Sequence, residues 1–419
     1  MPDHHGQKGA LAGIRVLDMS RILAGPTCAQ NLGDLGADVL KIERPGSGDD
    51  TRRWGPPDLA HMAGGEGWSA YYLCANRNKR SVAIDIADPQ GQKLVRELAA
   101  RADILIENYK LGGLAKYGLD YPALSALNPR LIYCSITGFG QTGPLAARPG
   151  YDAMIQAMGG IMSITGPEGG EPVKVGVGIA DVMCGMYAGM AVLAALHHRE
   201  ASGEGQYIDM SLYDSQIAWL INEGMNYLIS GAAPKARGTA HPNIVPYQVF
   251  PGSDGYFMLA VGNDGQFARF CAVAGAPELA EDEAYRTNPA RVRNRARLVP
   301  LVRALTASRT TTFWLRELEA AKVPCGPIND IAQVFAEAQT EARGMKVHMR
   351  HEEAEGGGAD LIGNPIRMSR TPVSYRRFPP RIGEHTDEVL AEELGLGPAR
   401  ISELKRAGVV KDAKDETDD

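Results

Sequence analysis

Short runs of β-branched and aliphatic residues punctuate the start of the chain: IRVLDM (14–19), ADVLKIE (37–43), SVAIDI (81–86), DILIEN (103–108) and LIYCSITGF (131–139). Their length and composition predict buried strands. Between several of them the apolar spacing changes to a helical period, as in PTCAQNLGDLG and in DPQGQKLVRELAARA, where Asp88 and Pro89 form a helix start. Strand and helix in alternation predict an α/β fold on a Rossmann-like, doubly wound parallel sheet.

The alternation continues through a helix at 151–162, a very apolar helix headed by Asp181, a strand QYIDMSL (206–212) and a helix over 213–230. The stretch GAAPKARGTAHPNIVPY then loses all periodicity, which marks a domain boundary. The reading is therefore a large domain over 1–230 and a smaller α+β domain over 231–330, with a strand at 255–262 and helices at 264–275 and 311–321. A C-terminal segment, 331–419, returns to the large domain. It carries a hairpin-like turn at EEAEGGGADL, a helix beginning near GEHTDEVLAEELGL and a solvated tail, KDAKDETDD.

Composition narrows the function classes. With 419 residues, 44% hydrophobic and 22% charged, the chain has the makeup of a globular protein of more than one domain. A net charge of −6 offers no basic stripe for a phosphate backbone, so nucleic acid is not an expected partner. The 6 cysteines are scattered without a CxxC, as expected of reduced thiols in a cytoplasmic protein. MPDHHGQKG has neither an apolar core nor an arginine-rich pattern, so it does not read as a targeting peptide. The apolar run Gly185 to Leu196 is shorter than the roughly 20 residues a bilayer needs and reads as a core helix. No membrane span is expected. The histidines lack ligand spacing, so no metal is expected, and no GxSxG elbow is present.

One stretch, VKVGVGIADVMCGMYAGMAVLAAL (173–196), carries a single acid. Gly176 and Gly178 fill the first places of a dinucleotide fingerprint, but Asp181 stands where its third glycine belongs, which argues against a nicotinamide-linked enzyme. At the first turn of a helix, Asp181 is either an ordinary N-terminal acid or a carboxylate nucleophile kept ionised by the helix N-terminus. Spacing alone leaves both readings open.

Several stretches in order along nearly the whole chain resemble the class III (CaiB/BaiF) coenzyme A transferases: LAGIRVLDMSRILAGPTCAQNLGDLGADVLKIERPGSGDDTR, NRNKRSVAIDI, ENYKLGGLAKYGLDY, NPRLIYCSITGFGQTGP, YDAMIQAMGG, VPCGPIND and GEHTDEVL. The resemblance implies that Asp181 is the nucleophile and that CoA is a co-substrate, with no tightly bound cofactor. It places CoA contacts at Ile22, Leu23, Ala24, Arg44, Asn76, Lys79, Asn108, Tyr109, Lys116, Arg148 and Tyr151, with Asp152 as an acidic neighbour ordering the site. It also implies an interlocked homodimer. Related α-methylacyl-CoA racemases carry His where this chain has Tyr151, so the base needed for racemisation is missing and racemase is the alternative reading, beside a non-catalytic CoA-binding protein. The family's formyl-CoA branch has a glycine-rich loop where this chain reads RGTAHPNIVPYQVF. DDTRRWGPP, YYLCANRNKRS and VGNDGQFARF are closer to the dicarboxylate-using branch, which implies succinyl-CoA as donor and a diacid such as glutarate as acceptor. For the acceptor's second carboxylate Arg21 is the expected partner, and His241 is expected to line the site from the small domain. His385 in GEHTD carries no evident chemistry.

Overall fold

The computed structural model describes residues 9–62 and 67–413, so the leader with His4 and His5 and residues 414–419 of the expected tail lie outside the described residues. The chain folds into two compact units: 1–161, 174–220 and 339–419 form the larger, and 162–173 with 221–338 the smaller.

The larger unit is built on a seven-stranded sheet. From one edge its order is Val410–Lys411, Lys79–Ile84, Asp38–Glu43, Arg15–Asp18, Ile104–Glu107, Ile132–Thr137 and Tyr207–Ser211. All neighbours run parallel except Val410–Lys411, which pairs antiparallel with Lys79–Ile84. Alternate residues feed opposite faces, as the period of a strand requires. Leu17, Leu40, Val82 and Leu105 face the helices Pro89–Ala99, Thr386–Leu394 and Pro398–Arg406. Val16, Val39, Ile104 and Ile132 face the helices Ala24–Asp34 and Ile179–Ser202. Those two helices touch where Gly185 lies against Ala24: a Cβ there would sit 2.4 Å from the Ala24 carbonyl oxygen.

Arg15–Asp18 is the strand at which the winding reverses. Later strands were laid first on one side of it, through Asp38–Glu43 and Lys79–Ile84, and then on the other, through Ile104–Glu107 onward. Such a switch point opens a crevice at the carboxyl ends of the two central strands, where the turns 19–23 and 108–113 emerge.

Three sequence expectations need correction. The strand expected at 81–86 is Lys79–Ile84, because Lys79 and Arg80 are charged yet buried against partners rather than marking a strand end. The helix expected over 213–230 is broken into Leu212–Ala218 and Ile221–Ser230, with Ile221 at φ +29, a backbone angle that cannot continue a helix. A segment of the larger unit ends at that break, at 220, and the smaller unit runs from there to 338. Lys411, read as tail, is an edge-strand residue, and Asp412 beside it is buried.

The helix headed by Asp181 is also longer than its most apolar run, covering Ile179–Ser202. Its 24 residues are long and apolar enough to cross a membrane by length and composition, and half of the most apolar window is buried inside the protein.

The smaller unit has a three-stranded antiparallel sheet, Tyr247–Pro251, Tyr256–Ala260 and Cys325–Pro327, over a core that includes Phe250, Phe257, Phe270 and Trp314. Helices Asp264–Val273 and Thr311–Ala320 supply Phe267, Phe270, Trp314 and Leu318 to that core.

Candidate active site

Asp181 is the third residue of its helix and is 9% exposed. Gly178 precedes the helix without a side-chain cap. The cap comes instead from Asp152, whose Oδ1 accepts the amides of Ala180 (2.8 Å) and Asp181 (3.4 Å). Asp152 is fixed by Gln156, whose Nε2 donates to Oδ2 at 2.7 Å while its Oε1 accepts the Val175 amide at 2.8 Å. The first-turn amides expected to keep Asp181 ionised are thus shared with a second carboxylate. Burial, and then the charge of Asp152, push the Asp181 carboxyl up to about 7. That corrects the expectation of a carboxylate held ionised by the helix N-terminus: near neutral pH Asp181 sits between its two protonation states.

Tyr71 belongs to the same neighbourhood, since burial and then the charge of Asp181 raise its phenol to about 12. Its ring packs edge-on against Trp54 at 5.0 Å.

A cavity of about 760 Å³ opens over the carboxyl ends of the strands, lined among others by Arg21, Arg44, Arg53, Tyr109, Lys110 and Lys116. Glu43, Asp49, Asp50 and Asp85 line it too, and cations in a cleft at a switch point suit a nucleotide with several phosphates. Arg44, Tyr109 and Lys116, expected from the sequence, are in it. Arg21 is there too, but its guanidinium pairs with Asp50 at 2.7 Å within this cleft. It is therefore already engaged, which weakens its expected role as the partner of an acceptor carboxylate.

The turn 20–24 runs from the cleft, which Arg21 lines, to Leu23 against Gly178 at the start of the Asp181 helix. Ile22 has φ +74, a left-handed angle that costs a β-branched residue on the order of 1–2 kcal/mol. Leu23 follows, and the helix Ala24–Asp34 begins without a side-chain cap. A Cβ on Gly178 would lie 3.0 Å from Leu23 Cδ2, a tight contact that the end of the leucine side chain would have to relieve, so Leu23 packs directly on the start of the Asp181 helix.

Beneath the turn lies a buried ionic framework. Lys79 Nζ contacts Asp18 Oδ2 at 2.9 Å and Asn76 Oδ1 at 3.0 Å, and Lys41 Nζ contacts Asp49 Oδ2 at 2.9 Å; both ion pairs are wholly inaccessible. Lys79 and Asn76 are consequently corrected from CoA contacts to interior residues, because their polar ends are spent on Asp18, on each other and on the Tyr72 carbonyl. Despite burial, Lys41 holds Asp49 down at about 2, and Lys79 with Lys41 holds Asp18 below the usual carboxylate range. Burial, with Lys41 close by, in turn lowers Lys79 to about 8.

The remaining expected residues are more peripheral. Asn108 spends its amide on the Arg21 backbone. Arg148 lies over the Phe139 ring at 6.0 Å, and Tyr151 is 66% exposed just before the helix Asp152–Met158. His241, in the smaller unit, stacks on Tyr247 at 5.2 Å and gives its carbonyl to Arg295. His385 starts the helix Thr386–Leu394, where the Thr386 hydroxyl accepts the Ala83 amide and donates to the Lys411 carbonyl. The GEHTD segment thereby ties the C-terminal segment to the sheet. Among the described residues no group of three or more His, Cys, Asp or Glu could hold a metal ion.

Asp181 is a buried acid raised by burial and by a second carboxylate, and comparison with known proteins decides the family. The model of CoA-transferase family III matches residues 11–386. The chain belongs to that family. A succinate–glutarate CoA-transferase of Agrobacterium fabrum is 51% identical over 393 residues, covering 94% of this chain and 98% of the relative. A human succinyl-CoA:glutarate CoA-transferase is 46% identical over 400 residues, covering 96% of this chain and 90% of the relative. The crystal structure of a CaiB/BaiF family protein from Brucella suis superposes with a TM-score of 0.82 at 50% identity, covering 92% of this chain and all of that one. The protein is a CoA-transferase.

The sequence pattern did not single out Tyr71, Gln156, Lys41 or Asp49 in this site. Lys41 had a visible signal, a lysine inside the otherwise apolar strand VLKIE, whose burial demands a counter-ion. Gln156 had none.

Proposed function

We propose that this CoA-transferase moves CoA from succinyl-CoA to glutarate through an aspartyl-CoA thioester on Asp181. The observation that carries the reading is a buried aspartate at the start of a glycine-led helix, perturbed by burial and by a second carboxylate. The choice of acids rests on the names of the relatives above, similar along almost their whole length.

An ionised Asp181 oxygen attacks the thioester carbonyl of succinyl-CoA. The C–S bond breaks, giving a succinyl-aspartyl anhydride and CoA thiolate. The thiolate attacks the aspartyl carbonyl, the anhydride C–O bond breaks and succinate leaves. Glutarate then attacks the aspartyl-CoA thioester and expels the thiolate, which attacks the glutaryl carbonyl of the new anhydride. Glutaryl-CoA departs and the Asp181 carboxylate is restored. No water enters and the thioester bond energy is kept. The cleft cations Arg44 and Lys116 hold the nucleotide phosphates in this scheme.

The scheme includes a homodimer. Apolar side chains stand out on the smaller unit, with Leu228 72% and Ile229 82% exposed, which is surface suited to a second copy. Sedimentation of the protein as a monomer would remove that element.

The test is intact-protein mass spectrometry after succinyl-CoA is added. We expect a mass increase of one CoA less water, mapped to Asp181, which disappears on adding glutarate and persists with an acid the enzyme does not use. In Asp181→Ala the adduct is absent and turnover falls at least roughly a thousandfold. Unchanged turnover in that variant would exclude the mechanism, and an adduct insensitive to glutarate would exclude the acceptor.

A further inference from the structure

The backbone of the turn leading to Leu23 is held at nearly every polar atom by side chains from elsewhere in the larger unit. The Ser20 amide donates to Asp18 Oδ1 at 3.0 Å, and the Ser20 carbonyl accepts Lys41 Nζ at 2.9 Å. The Arg21 amide donates to Asn108 Oδ1 at 2.9 Å, and the Arg21 carbonyl accepts Asn108 Nδ2 at 2.6 Å. The Ile22 amide donates to Asp49 Oδ1 at 3.2 Å. Asp49 is itself immobilised by Lys41 and by the amide and hydroxyl of Thr51.

This grip coincides with the one segment of the turn in an unfavourable conformation. Ile22 is half-buried, at φ +74, and branched at Cβ, so a free chain would rotate it to negative φ. Such strain persists only where surrounding groups over-determine it. Rotation at Ile22 would change the placement of Leu23 and of the uncapped start of the helix Ala24–Asp34, which in this structure lie against Gly178 and the first turn bearing Asp181.

We infer that Asn108 and Asp49 are positioning residues for CoA transfer: together they clamp Ile22 in its left-handed turn, and so fix Leu23 and the amides that follow it against the Asp181 helix, where the thioester must lie. The inference rests on the reading of Asp181 as the nucleophile. It gives Asn108 a role different from a direct CoA contact, since both ends of its amide are already committed to Arg21. Lys41 serves the clamp from below by pairing with Asp49 and holding the Ser20 carbonyl.

The clamp has a signature that neither a lost ligand contact nor a general structural role shares. Glycine adopts φ +74 about as readily as negative φ, so Ile22→Gly removes the tendency of the turn to spring open. Three variants are compared with wild type, Asn108→Ala, Ile22→Gly and the double variant, using whichever acyl-CoA donor the wild-type enzyme turns over. Asn108→Ala is expected to lower kcat/KM by about tenfold to a hundredfold, the penalty of a misplaced reacting group. Hydrogen exchange of the 20–27 backbone should accelerate with it. In the double variant both kcat/KM and exchange protection return toward the Ile22→Gly values. If Asn108→Ala melts below the assay temperature, Asn108→Asp, which keeps the acceptor and loses the donor, takes its place. A double variant as impaired as the product of the single effects would overturn the clamp, as would an Asn108→Ala enzyme with wild-type kinetics. Failure of succinyl-CoA as donor, or of an Asp181 adduct to form, would instead fall on the proposed function and be read from wild type alone.

Discussion

The larger unit buries aspartates in two opposite ways. Asp18 and Asp49 lie under the sheet's carboxyl edge with a lysine ammonium 2.9 Å from each, and both are held below the usual carboxylate range. Asp181 is buried too, though 9% exposed where the other two are wholly inaccessible, yet its nearest electrostatic neighbour is another carboxylate and its carboxyl is raised to about 7. A buried acid given a cation becomes framework, because its charge is neutralised and its lone pairs are used. A buried acid denied a cation keeps its reactivity at the expense of stability.

The largest effect separating the two kinds should come from the framework. Lys79→Met leaves Asp18 buried with its principal counter-ion gone and should cost about 3–5 kcal/mol in denaturant unfolding. A variant that unfolds like wild type but binds CoA poorly would return Lys79 to the nucleotide site. Asp181→Asn should do the reverse. A folded-state carboxyl raised above its unfolded value of about 3.8 costs nothing below that value, and its penalty grows as pH rises to about 7 and is complete above. Asp181→Asn should therefore be more stable than wild type by roughly 1–3 kcal/mol at pH 8 and no more stable at pH 4. Equal melting temperatures at pH 8 would mean that the acid is not penalised. The smallest effect concerns Asp152. In wild type, kcat/KM should rise with pH through about 7 as Asp181 ionises. Asp152→Asn keeps an acceptor for the Ala180 amide but removes the neighbouring charge, so the midpoint should move to lower pH. A midpoint that stays put, or moves up, would assign the elevation to burial alone.

Much of the architecture was legible because a parallel sheet covered on both faces writes itself as short aliphatic runs separated by helical periods. Runs such as DILIEN and LIYCSITGF needed only trimming, to Ile104–Glu107 and Ile132–Thr137. Asp181 was legible by its isolation in an apolar helix, though not the state of its charge, which depends on a cap reaching from Asp152, 29 residues away in sequence. The break at Ile221 was hidden because INEGMNYLIS continues the helical pattern of the residues before it, and a backbone angle leaves no trace in hydrophobicity. Lys79 and Asn76 misled for a related reason. The resemblance makes Asn76 and Lys79 of NRNKR contacts for CoA, and only the arrangement in space shows that Asp18, Asp34 and Glu388 take up Lys79, Arg77 and Arg80 in turn.

The edge strand Val410–Lys411 has a consequence for how the molecule is made. It covers Lys79–Ile84, a strand translated more than three hundred residues earlier, through pairs such as Val410 with Ile84. On the ribosome that edge waits, with its amides and carbonyls open to other strands, until almost the entire chain has emerged. Truncation before Val410 should consequently yield a chain that contains every residue lining the cleft at the sheet's carboxyl ends and nevertheless tends to aggregate along its open side.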